Sequence, residues 1–120
     1  MRDFKGLKIW KVGFDIAVNC HKISSKLPYF ERSTLGAQII KSAFSISSNI
    51  AEGSGRNSTK EYLRYIEIAT GSAFELESQL LVAKEISTAL SILIDETLNL
   101  LKEEQKMLHG FTLALKTSSL

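Results

Sequence analysis

Apolar residues recur at spacings of three and four along almost the whole chain, and no stretch shows the two-residue alternation of a half-buried strand. The pattern predicts four helices. The first runs from about Phe4 to Lys26. Leu7, Trp10, Phe14, Ala17, His21 and Ser24 mark its seam, and Ile9, Ile16 and Ile23 form a second stripe at spacing seven. Pro28 ends it, because the residue before a proline avoids the α region. The second runs from about Ser33 to Glu52 on a seam of Leu35, Ile39, Ala43, Ile46 and Ile50, with Gly53 and Gly55 marking its end. Ser58 then reads as an N-cap, and Glu61 three residues later completes a capping box.

The third predicted helix, about Thr59 to Ser87, has the most regular seam: Tyr62, Ile66, Ala69, Ala73, Leu76, Leu80 and Ala83. Strict alternation of four and three is the pattern of helices crossing at a shallow angle. The fourth is placed from about Ile92 to Lys116, on Ile94, Leu98, Leu101, Gln105, Leu108 and Leu115. Its start is the weakest boundary, since only Ser87, Thr88 and Ser91 interrupt the pattern. Four amphipathic helices with short connections predict an all-α, antiparallel up-down-up-down four-helix bundle, one domain over residues 1–120. At 1.5 Å per residue the last two helices would each span roughly 35–40 Å, so the bundle is expected to be elongated.

The second helix departs from the usual amphipathic scheme. Between Ser33 and Ala51 its only charged residue is Lys41. Opposite the seam stand Gln38, Ser42, Ser45, Ser48 and Asn49, with Ile40 and Phe44 on a flank. Solvated helix faces more often carry Lys and Glu, whereas small polar residues let another helix approach closely. The expectation is a face covered by a second copy or a partner, with Ile40, Ser42, Phe44, Ser45, Ser48 and Asn49 as the interface. A Ser-rich solvated face is the plainer alternative.

Charge sharpens this picture in one respect. The formal net charge is only +2, but residues 1–60 hold ten Lys/Arg against four Asp/Glu, and residues 61–120 hold five against nine. The two halves either complement one another or set up a local anion-attracting field. Arg56, Lys60 and Arg64 surround the start of the third helix, where backbone N–H groups favour anions. Arg2, Lys5, Lys8 and Lys11, at spacing three, form a second basic stripe beside Trp10. Both sets suit a phosphate backbone. Equally, the first set can pair with Glu52, Glu61 or Glu67, and the second can be an ordinary solvated face. Trp10, Phe14, Tyr62 and Phe74 fall on or beside apolar stripes, so no platform for stacking bases is expected.

Other chemistry finds little support. His21 and His109 lie on different predicted helices without metal-ligand spacing, and Cys20 is the only cysteine. His21 is expected to be a hydrogen-bonded core residue and His109 to lie near a helix surface. Gly53 to Lys60 resembles a phosphate loop only superficially, because it follows a helix and lacks the Gly-Lys-Ser/Thr ending. No nucleophile has an adjacent base, so no catalytic residue, metal or cofactor is assigned. A lone cysteine and the lack of a secretory pattern or a ~20-residue apolar run point to the cytoplasm, away from membranes.

The chain resembles the four-helix family of 23S rRNA intervening-sequence proteins. Phe4-Lys5-Gly6-Leu7-Lys8-Ile9-Trp10 and Ser48-Asn49-Ile50-Ala51-Glu52-Gly53-Ser54-Gly55-Arg56 carry the likeness. So do Gly71-Ser72, the Glu75–Lys84 run and Met107-Leu108-His109-Gly110-Phe111. The resemblance implies a ring, typically a homopentamer, with no established enzymatic activity. Some members are encoded within insertions in ribosomal RNA genes, and a related bundle serves diversity-generating retroelements alongside RNA and a reverse transcriptase. Binding of RNA or a ribonucleoprotein is therefore an implication of the likeness. A protein-interaction adaptor with no nucleic-acid role is the alternative. Two positions depart from the family pattern: Ile40-Lys41 replaces a pair of basic residues, and Ser47 replaces a proline. The first weakens a basic reading of the second helix; the second should leave that helix straighter.

Overall fold

The computed structural model describes residues 3–118. Within them lie helices α1 (Lys8–Lys26), α2 (Ala37–Ser54), α3 (Thr59–Ile86) and α4 (Ser91–Ser118), and no strand. They form an antiparallel bundle 49 Å long and 21 Å across, elongated as the helix lengths predict. Each helix packs on two neighbours, in the cyclic order α1, α2, α3, α4.

The boundaries follow local chemistry. The segment Phe4–Gly6 is a separate 3₁₀ turn capped by the Asp3 carboxylate, so α1 starts later than Phe4. Leu27, before Pro28, is extended and ends α1. Helical structure resumes at Tyr29, earlier than the expected Ser33, as a single turn (Tyr29–Glu31) followed by a wide π turn (Arg32–Gly36). Arg32 Nε donates to the Leu27 carbonyl at 3.0 Å, which ties that turn to the end of α1. Ser58 caps α3, accepting from the Glu61 N–H at 3.1 Å. Between α3 and α4, extended Ser87 leads into a 3₁₀ turn at Thr88–Leu90, and Lys84 pairs with Asp95 across it at 2.7 Å.

The predicted seams of α2 and α3 are the observed ones except at Leu35, which lies in the π turn before α2 and is half-buried. Ile39, Ala43, Ile46 and Ile50 are fully buried, as are Ile66, Ala69, Ala73, Leu76, Leu80 and Ala83. In α1 the order of the stripes is reversed. Ile9, Ile16 and Ile23, with Val12, Ala17, Cys20 and Leu27, form its core face. Phe14 lies at the edge of that face and remains 43% exposed; His21 is exposed rather than in the core. An α1 face wedged between α2 and α4 is broad, and β-branched side chains fill its centre. Cys20 is fully buried, and burial pushes its thiol up to about 12, so it stays protonated.

Helix α4 differs at one important place. Its buried residues are Ile94, Thr97, Leu101, Glu104 and Leu108. Gln105, expected on the seam, is only half-buried and donates from Nε2 to Glu77 Oε1 at 2.9 Å. The acidic residue Glu104 is the one that enters the core, and its two oxygens have no hydrogen-bond partner among the described residues.

Gly53 does not act as a helix terminator. It lies inside α2, and no glycine among the described residues has a positive φ. A Cβ there would stand 2.9 Å from Tyr62 Cδ1 and 2.9 Å from Tyr65 Cβ, so its bare backbone is what lets α3 approach. Gly110, in α4, has open space around the same point. Gly53→Ala is expected to destabilise the fold by about 1–3 kcal/mol through overpacking. Gly110→Ala should stabilise it by up to about 1 kcal/mol through helix propensity. Urea denaturation of the two variants tests the contrast.

Candidate functional site

The antiparallel order brings the start of α1, the end of α2 and the start of α3 to one end of the bundle. The Phe4–Gly6 turn packs against α2 there, and Tyr62 of α3 meets Phe111 of α4 edge-on at 5.4 Å. The two predicted basic sets therefore share one end, although nothing in the sequence joins them.

Within that end the cations differ in engagement. Arg56 Nη2 reaches Glu52 Oε2 at 2.5 Å and the Tyr65 hydroxyl at 2.7 Å, and its guanidinium lies 4.9 Å from the Tyr65 ring centre. Its backbone N–H donates to the Gly53 carbonyl at 3.1 Å. Arg56 thus fastens the α2–α3 turn from both sides. Lys60 and Arg64 lie exposed on the first two turns of α3 and form no ion pair among the described residues. Lys8 approaches Glu103 at 3.4 Å across the α1–α4 seam, with both side chains largely in water. Lys11 pairs with Asp15 at 2.8 Å and sits over the Phe14 ring at 5.0 Å. Surface pairs of this kind contribute roughly 0–1 kcal/mol and yield readily to a competing anion. Lys5 is exposed beside them. Arg2 lies outside the described residues.

The uncharged helix has its own account. Ser45 Oγ and Ser72 Oγ share a hydrogen bond of 2.7 Å between α2 and α3. Asn49 Nδ2 donates to the Ser45 carbonyl at 2.7 Å and to Ser45 Oγ at 3.0 Å. Ser42 is buried within the bundle, and Ile40 is half-buried. Ser45 is thus tied to α3 of the same chain, Asn49 is tied to Ser45, and the exposed members of the face are Gln38, Phe44 and Ser48.

Phe44 and Ser48 face a groove of about 500 Å³ between α1 and α2. Phe14, Ala17 and Val18 supply the opposite wall with His21 and Lys22, and Ser47 joins the α2 side. Phe14, Val18 and Phe44 are each exposed by more than two-fifths, so the groove is an apolar strip open to its surroundings. Trp10 packs on Phe14 at 5.4 Å and extends the strip toward the basic end. Phe14 and Phe74, expected on or beside apolar stripes, are both substantially exposed. On the far side of the bundle, Phe74 and His109 line a second groove of about 410 Å³. His109 is exposed, as expected.

Among the described residues, no group of three His, Cys, Asp or Glu side chains is arranged to hold a metal ion. No helix there is long and apolar enough to cross a membrane.

These features define an all-helical bundle with a basic end and an apolar lateral groove. The chain matches the 23S rRNA-intervening sequence protein family over residues 5–110 and belongs to that family. No curated protein matches it significantly.

The cap on α3 gives a direct test of the turn that carries Lys60 and Arg64. Ser58→Ala removes the acceptor for the Glu61 N–H and is expected to lower stability by about 1 kcal/mol. Thermal unfolding followed by circular dichroism measures it; Ser58→Asp should retain most of the stability.

Proposed function

We propose that the protein is a non-enzymatic, oligomeric bundle that binds RNA or a ribonucleoprotein through phosphate contacts at its basic end. One observation supports this reading: the antiparallel order carries two basic sets far apart in sequence toward the same end of the fold, with Lys60 and Arg64 exposed beside the N-terminus of α3. Lys5, Lys8 and Lys11, with Arg2 preceding them in sequence, extend the proposed contact surface, and Arg56 holds the turn in position through Glu52 and Tyr65. The spread of singly charged contacts suits a backbone rather than a base edge. Family membership agrees with an RNA context.

The expected behaviour is salt-dependent RNA binding by the purified protein. Replacing both Lys60 and Arg64 with Ala should weaken binding and flatten the plot of log affinity against log salt by about one to two units. Binding that ignores these substitutions, or no binding at low salt, rejects the reading.

Assembly is proposed alongside it, with a homopentamer as the form suggested by the family likeness. Ile40, Phe44 and Ser48 are the α2 residues assigned to the contact between copies. Ser45 supports it by bonding α2 to Ser72 of α3, with Asn49 bonded to Ser45 and Ser42 buried within the bundle. An open apolar strip of this size supports burial against another surface. Light scattering is expected to give a mass several times 13.3 kDa. Phe44→Glu should shift it toward the monomer, and Lys102→Glu should not. The same groove favours a second reading, an adaptor that docks a partner protein without nucleic acid. A bound protein that survives nuclease treatment, with no RNA affinity in the pure chain, would select it.

A further inference from the structure

Among the described residues Glu104 is the one acidic side chain in the core, and neither the proposed RNA contact nor the proposed assembly uses it. We propose that Glu104, seated against Gly13, is a proton-dependent latch on the α1–α4 seam. The neutral carboxyl lets α1 close over it, and the carboxylate drives that seam open.

The seat is built by an absent side chain. A Cβ on Gly13 would stand 2.9 Å from Glu104 Oε2, 3.4 Å from Ile46 Cγ2 and 3.6 Å from Ser47 Cα. The acid therefore crosses from α4 into a notch of α1 that is backed by α2. It is fully buried, and no donor from the described residues reaches either oxygen. A neutral carboxyl tolerates such a setting far better than a charged one.

The charges around it do not rescue the anion. On α4, adjacent Glu103 repels it. On α1, Lys8 is turned to Glu103 at 3.4 Å, and Lys11 pairs with Asp15 at 2.8 Å. On α2, the residues at the notch are Ile46 and Ser47, which carry no charge. On α3, Glu77 accepts from Gln105 at 2.9 Å and is itself acidic. Burial first, and Glu103 second, raise the Glu104 carboxyl from 4.5 to about 8. A folded-state pKa above the unfolded value means that the folded chain holds the extra proton between these limits. The stability from this group is thus complete below about 4.5 and is lost as pH rises through about 8. The α1–α4 seam is also the most sparsely packed of the four, so it is where the bundle gives way.

Two measurements on the full chain test the latch. The ¹³C signal of the Glu104 carboxyl is expected to titrate near pH 8. Amide exchange in α1, corrected for intrinsic rate, should lose roughly tenfold in protection relative to α3 between pH 7 and 9. In Glu104→Gln that pH dependence should vanish. A carboxyl titrating in the ordinary range near 4.3, or the same pH course in Glu104→Gln, overturns the proposal. If Glu104→Gln does not fold, the carboxyl titration and α1 exchange of the unmodified protein decide it.

Discussion

The close approach of α2 and α3 is the constraint on which the rest of the fold depends. These two helices form the most extensive seam, and small groups make it possible. Ala43, Ala69 and Ala73 are fully buried, Gly53 lies under Tyr62 and Tyr65, and Ser45 bonds directly to Ser72. A larger residue at any of these points would force the helices apart or displace a tyrosine. Because the pair is fixed, the turn between them is fixed as well, which places Ser58, Lys60 and Arg64 at a defined end of the bundle. Arg56 reinforces the same turn through Glu52 and Tyr65.

This seam changes the meaning of the uncharged second helix. The lack of Lys and Glu around Ser45 and Asn49 is explained first by α3 of the same chain. What α3 leaves uncovered is narrower than the whole polar face. Besides Gln38, it comprises Phe44, Ser48 and their neighbours along α1, a strip of mainly apolar character. The proposed assembly therefore draws its support from the aromatic and aliphatic strip, while Ser42 and Ser45 serve the interior. A composition argument identified a face needing cover but could not distinguish cover within the chain from cover between chains.

The architecture was legible where one helical stripe was plainly more apolar than any other. The seams of α2 and α3 follow from the spacing of Ile, Leu and Ala alone, and the cap at Ser58 follows from its partner at Glu61. Legibility failed where two stripes competed or where a polar residue took a core position. In α1, the aromatic stripe through Phe14 outweighed the Ile9–Ile16–Ile23 stripe on paper, yet the branched residues fill the centre. In α4, continuing the alternation of three and four from Ile94 leads to Thr97, Leu101, Glu104 and Leu108. That signal was present, but a glutamate scores as surface unless its opposite number is considered. Gly13 is that opposite number, and no pattern within one helix connects the two. The candidate site was legible as two basic clusters; their meeting at one end needed the topology.

Gly13 and Gly53 show how the bundle treats its two sides differently. At Gly53 the missing side chain is filled by aromatic carbon, a well-packed contact that favours rigidity. At Gly13 it is filled by a carboxyl oxygen with no donor. An apolar residue in place of Glu104 would serve burial better, since a buried acid gains little from its site and is penalised when charged. The α2–α3 side is thus built to stay closed, and the α1–α4 side depends on a single proton. The basic stripe on α1 rides on the conditional side, whereas Lys60 and Arg64 ride on the fixed side. A bundle divided in this way can hold one half of the proposed phosphate-binding end rigid while the position of the other half responds to its surroundings.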